Sequence, residues 1–495
     1  MDSHLLKTKS IEQLVGDVEH GKKHLKRTLS ALDLTLLGIG AIIGTGIFVL
    51  TGTAAANQAG PSITMSYMVA GLACGFAALC YAEFASMIPI AGSAYTYAYA
   101  TLGEVVAWMI GWDLILEYAV GSMTVAIGWS GYMQRLLHGA GIDLPIWMSA
   151  APGSAPGTLV NLPAILIVLL IMILLVRGVR ESARANAVMV AIKLAAVLFF
   201  IAVGARYVHT DNWVPYQPYG WSGVMSAAAV VFFAYIGFDA VSTTAEEAKN
   251  PQRDLPIGII ASLVVCTALY LAVAAVLTGI VPVTHYRSMV GALPGVPTAD
   301  PTEVTRFLNA PVAFALAVIQ QDWASYLVSA GAVAGITSVL LVMLMSQPRI
   351  FYTMANDGLL PAWAARIHPR FRTPHITSIL TGAAVSLAAG FTPIGILGQL
   401  VSIGTLLAFV IVSLGVLFLR KQRPELHRPF RTPGVPFIPI LSALVSFALM
   451  AGLPWHTWER LIIWMVLGVV FYFVYGYRHS RLRAGLASRE MTRHS

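Results

Sequence analysis

The chain has 495 residues, 57% of them hydrophobic and only 11% charged, with a mean hydropathy of +0.74. A soluble globular chain carries roughly 25% charged residues, so this balance excludes that class and predicts an all-α polytopic membrane protein. The formal charge of +8 suits contact with anionic membrane lipids, and no basic stretch is interleaved with stacking aromatics as nucleic-acid binding requires.

Residues 1–33 are polar and charged before the first apolar run, so they read as a tail and not as a cleaved signal peptide. Beyond them, twelve windows carry the roughly 20 apolar residues that a spanning helix needs. They are 34–55, 63–84, 104–133, 161–177, 185–205, 223–247, 257–281, 324–352, 376–393, 398–419, 436–453 and 457–477. These are too long and too uniformly apolar for barrel strands, which run to about ten alternating residues. An even number of spans puts both termini on one side. Of the 31 Lys and Arg residues, 25 fall in the tails and even-numbered connections, which predicts that side to be the cytoplasm. The connection 85–103 departs from this bias, having no basic residue.

The first span contains "LLGIGAIIGTGIFVL", with glycines at 38, 40, 44 and 46. The sixth contains "FFAYIGFDAVSTTAEEAKNPQRDLP", again turning polar part-way across. Spans one and six are five apart and enter from opposite sides, the pattern of two inverted repeats with paired breaks at a transport site. Hydrocarbon gives a freed backbone no partner, so unwinding is tolerated only where a cavity or ligand supplies one. Gly44, Thr45 and Gly46 would present N–H groups to an anion, and freed carbonyls would attract a cation; an α-amino acid offers both. The competing reading is packing alone, since Gly40 and Gly44 also form a small-xxx-small pair.

Further along, Asp113 and Glu117 in "GWDLILEYAV" share one face of span three. Lys193 in span five stands nine residues after Arg184, about 14 Å along a helix and too deep for easy snorkelling. Burying its ammonium costs about 2.5–3.5 kcal/mol, which marks it either as a proton carrier or as half of a permanent ion pair. Glu117 and Asp239 are its possible charge partners. Glu83, Glu104, Glu246 and Glu247 lie near span ends, where solvated or helix-terminal roles are expected. The connection 285–311 has the Gly and Pro density of a loop with a short helix able to cap an entrance. Cys74, Cys80 and Cys266 fall in spans, with no disulfide or metal-ligand spacing. No histidine falls in a span and no HExxH, GxSxG or P-loop motif occurs, which argues against a membrane-embedded enzyme, an ATP-driven pump or a bound cofactor.

Taken together, "GIGAIIGTGIF", "YAEFASMIPIAGSAYTYAYATLGE", "GWDLILEY" and "FFAYIGFDAVSTTAEEAKNPQRDLPIGI" resemble the cationic amino acid transporter family of the amino acid–polyamine–organocation superfamily. The resemblance covers all twelve spans. It implies a LeuT-like core of ten helices in a 5+5 inverted repeat, with helices 1 and 6 broken and two helices added at the C-terminus. It places the substrate carboxylate on Gly44, Thr45 and Gly46 and the α-amino group on carbonyls near Ile42, Phe233, Ala234 and Ile236, with Phe233 as gate. It also puts Lys193 where sodium-coupled relatives bind a cation, which implies the proton as coupling ion. Met343 would limit pocket size if span eight lines the pocket.

The expected organisation is therefore a cytoplasmic tail 1–33, a core 34–420 built of repeats at about 34–206 and 223–420, two further helices in 435–478, and a cytoplasmic tail 479–495. The expected activity is import of L-amino acids, cationic or small neutral, across the cytoplasmic membrane by proton symport, with exchange as the nearest alternative mechanism. A nutrient sensor is the alternative from another class, opposed by the short tails. No obligate protein partner is evident.

Overall fold

The computed structural model describes residues 29–87, 93–154, 157–178, 183–287 and 299–483. The N-terminal tail up to residue 28, Arg180, the centre of the long connection and the tail from 484 lie outside these. Among the described residues the chain is helical and forms no strand. Seven helices are long and apolar enough to cross a membrane, and five shorter apolar helices of 10–17 residues accompany them. Each sequence window falls on one of these helical segments.

Helix α1 (Ala31–Ile42) starts at a reciprocal cap: the Asp33 amide donates to Ser30 Oγ at 3.4 Å and the Ser30 amide to Asp33 Oδ2 at 2.8 Å. It stops at Ile43, whose backbone is extended (φ −73°, ψ 103°), and helical geometry resumes at Thr45 with a π-helical turn over Gly46–Leu50. Next come α2 (Ile63–Met87), the short α3 (Ser93–Thr101) and the long α4 (Glu104–Gly139). Helices α5 (Leu162–Arg177) and α6 (Ala183–Gly204) follow.

Helix α7 (Gly220–Val231) passes into a 3₁₀ turn over Phe232–Tyr235 and then breaks at Ile236 (φ −60°, ψ 135°). The next residue, Gly237, has φ +116°, a conformation closed to side chains, and a Cβ there would stand 2.8 Å from the carbonyl oxygen of Ala41. The continuation Phe238–Glu247 is 3₁₀ throughout and not α-helical. A run of that length is uncommon and marks a segment whose geometry is held by its surroundings.

The rest comprises α8 (Pro251–Ile280), α9 (Pro301–Asn309), α10 (Pro311–Val318), α11 (Asp322–Asn356), α12 (His375–Phe391), α13 (Ile394–Gln422), α14 (Phe437–Ala451) and α15 (Trp455–Phe471). Thus the long connection contains one amphipathic and one apolar short helix. Helix α15 is fastened to α4 by an aromatic seam. The Trp112 and Trp464 indoles stack 4.7 Å apart, and each donates to the other's carbonyl at 2.9 and 3.0 Å. Trp108 adds a donation to Gly468 O at 2.8 Å.

Leu166, Leu170, Leu198, Val264, Phe447, Ile463 and Val470 all point outward. In water such a surface would be a severe liability, but in hydrocarbon it carries no penalty. The protein is a multi-pass membrane protein.

Candidate functional site

The two breaks meet. A Cβ on Gly46 would lie 2.3 Å from Ala234 Cα and 2.4 Å from its Cβ, so only a glycine lets the backbone after the first break touch the 3₁₀ turn before the second. Ending α1 at Ile42 frees the carbonyls of its last turn, which carry the negative end of the helix dipole. The Lys193 ammonium, fully buried on α6, answers them: it donates to Gly40 O, to Ile43 O at 3.1 Å and to Ser338 Oγ of α11 at 3.3 Å. Its three N–H bonds therefore have three oxygen acceptors and tie α1, α6 and α11 together at one point.

Tyrosines serve the other freed groups. The Tyr270 hydroxyl of α8 lies 2.6 Å from Ala234 O and 3.1 Å from Ile42 O, bridging both breaks with a single donor. Tyr67 of α2 donates to Gly46 O at 3.3 Å and shares a 2.6 Å bond with Thr51 Oγ1. The Phe233 carbonyl accepts from the Ile236 amide at 3.1 Å. Tyr270, Tyr67 and Ser338 were not read from the sequence. The available signal was a tyrosine deep in an apolar span, because a buried phenol needs a polar partner.

Side chains close around this backbone. Thr45 packs against α4, its Cγ2 lying 2.4 Å from where a Cβ on Gly128 would sit, and Val339 of α11 stands 3.1 Å from the corresponding position on Gly44. One helical turn on from Val339, the Met343 sulfur is 3.1 Å from the Cβ position of Gly121, and the edge of the Phe233 ring is 4.0 Å from it. Met343 and Phe233, both buried, thus converge on a bare stretch of α4.

The family model for amino acid permeases matches residues 29–471, nearly the whole described chain. The chain belongs to the amino acid permease family. The permease is 49% identical over 484 residues to the branched-chain amino acid permease BcaP of Bacillus subtilis, covering 97% of this chain and 100% of that relative. It is 48% identical over 480 residues to the methylthioribose transporter of the same organism, covering 97% and 99%. Against the vacuolar cationic amino acid transporter 4 of Arabidopsis thaliana it is 37% identical over 427 residues, covering 85% and 68%. The family is one of transporters, not enzymes.

In this permease the carboxylates lie elsewhere than expected. Neither Glu117 nor Asp239, the possible charge partners of Lys193, is among the groups that the ammonium contacts. The carbonyls at the break take that place, since each carries a strong acceptor and no second charge has to be buried with it. Glu117 is buried on α4, one helical turn after Asp113, and Thr405 of α13 donates to Val401 O at 3.2 Å. Asp113 lies against Gly404, Oδ1 being 2.7 Å from its Cβ position, and its two buried oxygens have no hydrogen-bond partner among the described residues.

Glu104 stands at the first residue of α4, the helix-terminal place expected of it, while Glu83 lies within α2; both are buried and bonded, not solvated. Arg420 donates to Glu83 at 3.0 and 2.6 Å, and the Thr432 amide adds 2.8 Å. Glu104 accepts from Tyr472 at 2.8 Å, Tyr99 at 3.0 Å, Arg483 at 3.1 Å and Ser480. These two nodes fasten the connection after α13 to α2 and the segment after α15 to the start of α4.

Proposed function

We propose that this permease imports neutral L-amino acids with branched or small side chains, together with protons, by alternating access. The observation that carries the reading is the contact between the two breaks. A helix restarting at Thr45 leaves its first amides without intrahelical acceptors, and Ile42, Phe233, Ala234 and Ile236 bring carbonyls to the same place. Gly44, Thr45 and Gly46 hold the substrate carboxylate and the carbonyls hold its ammonium, replacing the Tyr270 hydroxyl. Phe233 closes over the side chain and Met343 limits its size, which favours a neutral substrate over arginine. The name of the branched-chain relative supports this choice.

Twelve spans arranged as a LeuT-like 5+5 repeat over about 34–420, with two further helices in 435–478, accommodate both breaks at mid-membrane. Both termini are cytoplasmic and the membrane is the cytoplasmic one, following the distribution of basic residues. Lys193 supplies the coupling. When charged it grips Gly40 and Ile43 and holds α1 against α6 and α11. After losing its proton it keeps fewer donors, and the first half of the broken helix is released.

The test is uptake of labelled isoleucine, alanine, arginine and methylthioribose into proteoliposomes, with an inward proton gradient and a sodium-gradient control. Proton-driven accumulation of isoleucine or alanine, lost in Lys193→Met, is the expected result. Accumulation in Lys193→Met that still follows the proton gradient overturns the coupling role. Robust counterflow without accumulation makes the protein an exchanger, and uptake confined to arginine or methylthioribose overturns the substrate assignment.

A further inference from the structure

A cavity of about 240 Å³ lies between the Gly139 end of α4 and the two short helices α9 and α10, away from the broken helices. Its polar lining comes from Gln134, Arg135, His138, Asp143, Arg306 and Asn309. Most of these are already engaged. Arg135 donates to Asp322 Oδ1 at 2.9 Å and to Ser325 Oγ at 3.2 Å and lies over the Tyr326 ring, while Gln134 donates to Ser149 O at 2.7 Å. His138 Nδ1 is 2.6 Å from Asp143 Oδ1, leaving the second oxygen of that carboxylate available. Arg306 is exposed on α9 and has no ion-pair partner among the described residues. The wall therefore offers a spare guanidinium and a spare carboxylate oxygen, with Ile142, Leu144 and Phe314 as an apolar surface between α4 and α10.

The cavity is joined mechanically to the transport site. Gly131 lines it, while Gly128, less than one turn away on α4, is the residue against which Thr45 packs. The helices on its other side lie on the restarted half of the broken helix, with Pro311 Cβ 2.2 Å from the Cβ position of Gly52 and Asn309 O 2.4 Å from that of Gly131. At about 240 Å³ it is smaller than the roughly 300–1,000 Å³ of pockets for drug-sized ligands and suits a single amino acid.

We propose that this cavity is an outer amino-acid site, in which Arg306 holds the carboxylate, Asp143 the ammonium and Phe314 the hydrocarbon side chain of a substrate molecule waiting outside the broken helices. The assignment rests on the amino-acid reading above and adds a second, weaker site per chain. A guanidinium matches a carboxylate with two parallel N–H bonds, so Arg306 is the anchor. A solute bound here wedges α9 and α10 against α4 and thereby bears on the contact between Pro311 and Gly52.

The experiment is saturation binding of tritiated isoleucine to the full chain in lipid nanodiscs. Two molecules per chain are expected for the wild type, falling to one in Arg306→Gln, whose exposed position leaves the core intact. One is also expected in Gly46→Ala, where the remaining site is the outer one, and none in the double variant. Wild-type stoichiometry of one that Arg306→Gln leaves unchanged overturns the outer site alone. A stoichiometry of two that survives both Arg306→Gln and Asp143→Asn overturns it as well. Absence of binding of both isoleucine and alanine from every variant, wild type included, overturns the amino-acid reading itself.

Discussion

Adding one methyl group at Gly46 is the sharpest available perturbation of the proposed site. The new carbon would stand 2.3 Å from Ala234 Cα and 2.4 Å from Ala234 Cβ, against a comfortable carbon separation of about 3.5–4.0 Å. The backbone of one break must therefore retreat by more than 1 Å, roughly, from the other, and neither partner is a flexible side-chain end. Overpacking of this kind costs about 1–3 kcal/mol, which at about 1.4 kcal/mol per decade is a roughly 5- to 150-fold loss of affinity where the cost falls on the bound arrangement, in which the two breaks must meet. Gly44→Ala is the control. Its methyl group meets only the Cγ2 of Val339, at 3.1 Å, and that side chain has room to yield by a few tenths of an ångström. Gly46→Ala is thus expected to lose high-affinity isoleucine binding while Gly44→Ala stays within about threefold of wild type, both eluting as monodisperse protein on size exclusion. Wild-type affinity in Gly46→Ala would show that the contact between the breaks does not shape the site.

Tyr270→Phe removes the hydroxyl that bridges Ile42 O and Ala234 O. Hydrogen bonds inside membranes average about 0.6 kcal/mol with a maximum near 1.7, and the substrate ammonium has to displace this hydroxyl, so affinity for every amino acid is expected to rise by about 3- to 20-fold without a change in side-chain preference; a fall in affinity, or a shift in preference between alanine and isoleucine, would contradict this role. Glu83→Ala strands Arg420 and the Thr432 amide in a buried node. Its thermal unfolding in detergent should reflect a loss of about 3–5 kcal/mol, and an unchanged melting temperature would mean that the node is no anchor.

The windows of apolar sequence anticipated the helices because hydrocarbon imposes one requirement on every span, an internally satisfied backbone of sufficient length. The breaks were legible for the complementary reason: glycines and polar residues stand where an apolar helix has no use for them. What escaped was the identity of the partners. Glu117 and Asp239 were only possible partners for Lys193, and the ammonium binds Gly40 O and Ile43 O, about 150 residues away. Every residue has a carbonyl, so an acceptor created by a helix break leaves no mark at the residue that owns it. Tyr270 escaped similarly, since a lone tyrosine in an apolar helix looks like core until its hydroxyl is placed. The 3₁₀ character of Phe238–Glu247 also has no periodic signature, because its conformation follows from packing against α1 and not from local preference.

The division between backbone and side chains also bears on how cargo is chosen. Two relatives of nearly equal identity, 49% and 48%, carry names that refer to branched-chain amino acids in one case and methylthioribose in the other. Overall similarity to these two relatives therefore does not choose the cargo of this chain. The breaks, the Lys193 clamp and the Tyr270 bridge engage main-chain groups, so they are indifferent to the side chain of whatever is bound. Discrimination must come from the few side chains that face the bound solute. In the site proposed above these are Met343 and Phe233, which converge on Gly121, the Met343 sulfur lying 3.1 Å from its Cβ position. A hydrophobic wall of that kind separates solutes by about 1–3 kcal/mol per methylene, enough to exchange one cargo for another without altering the fold.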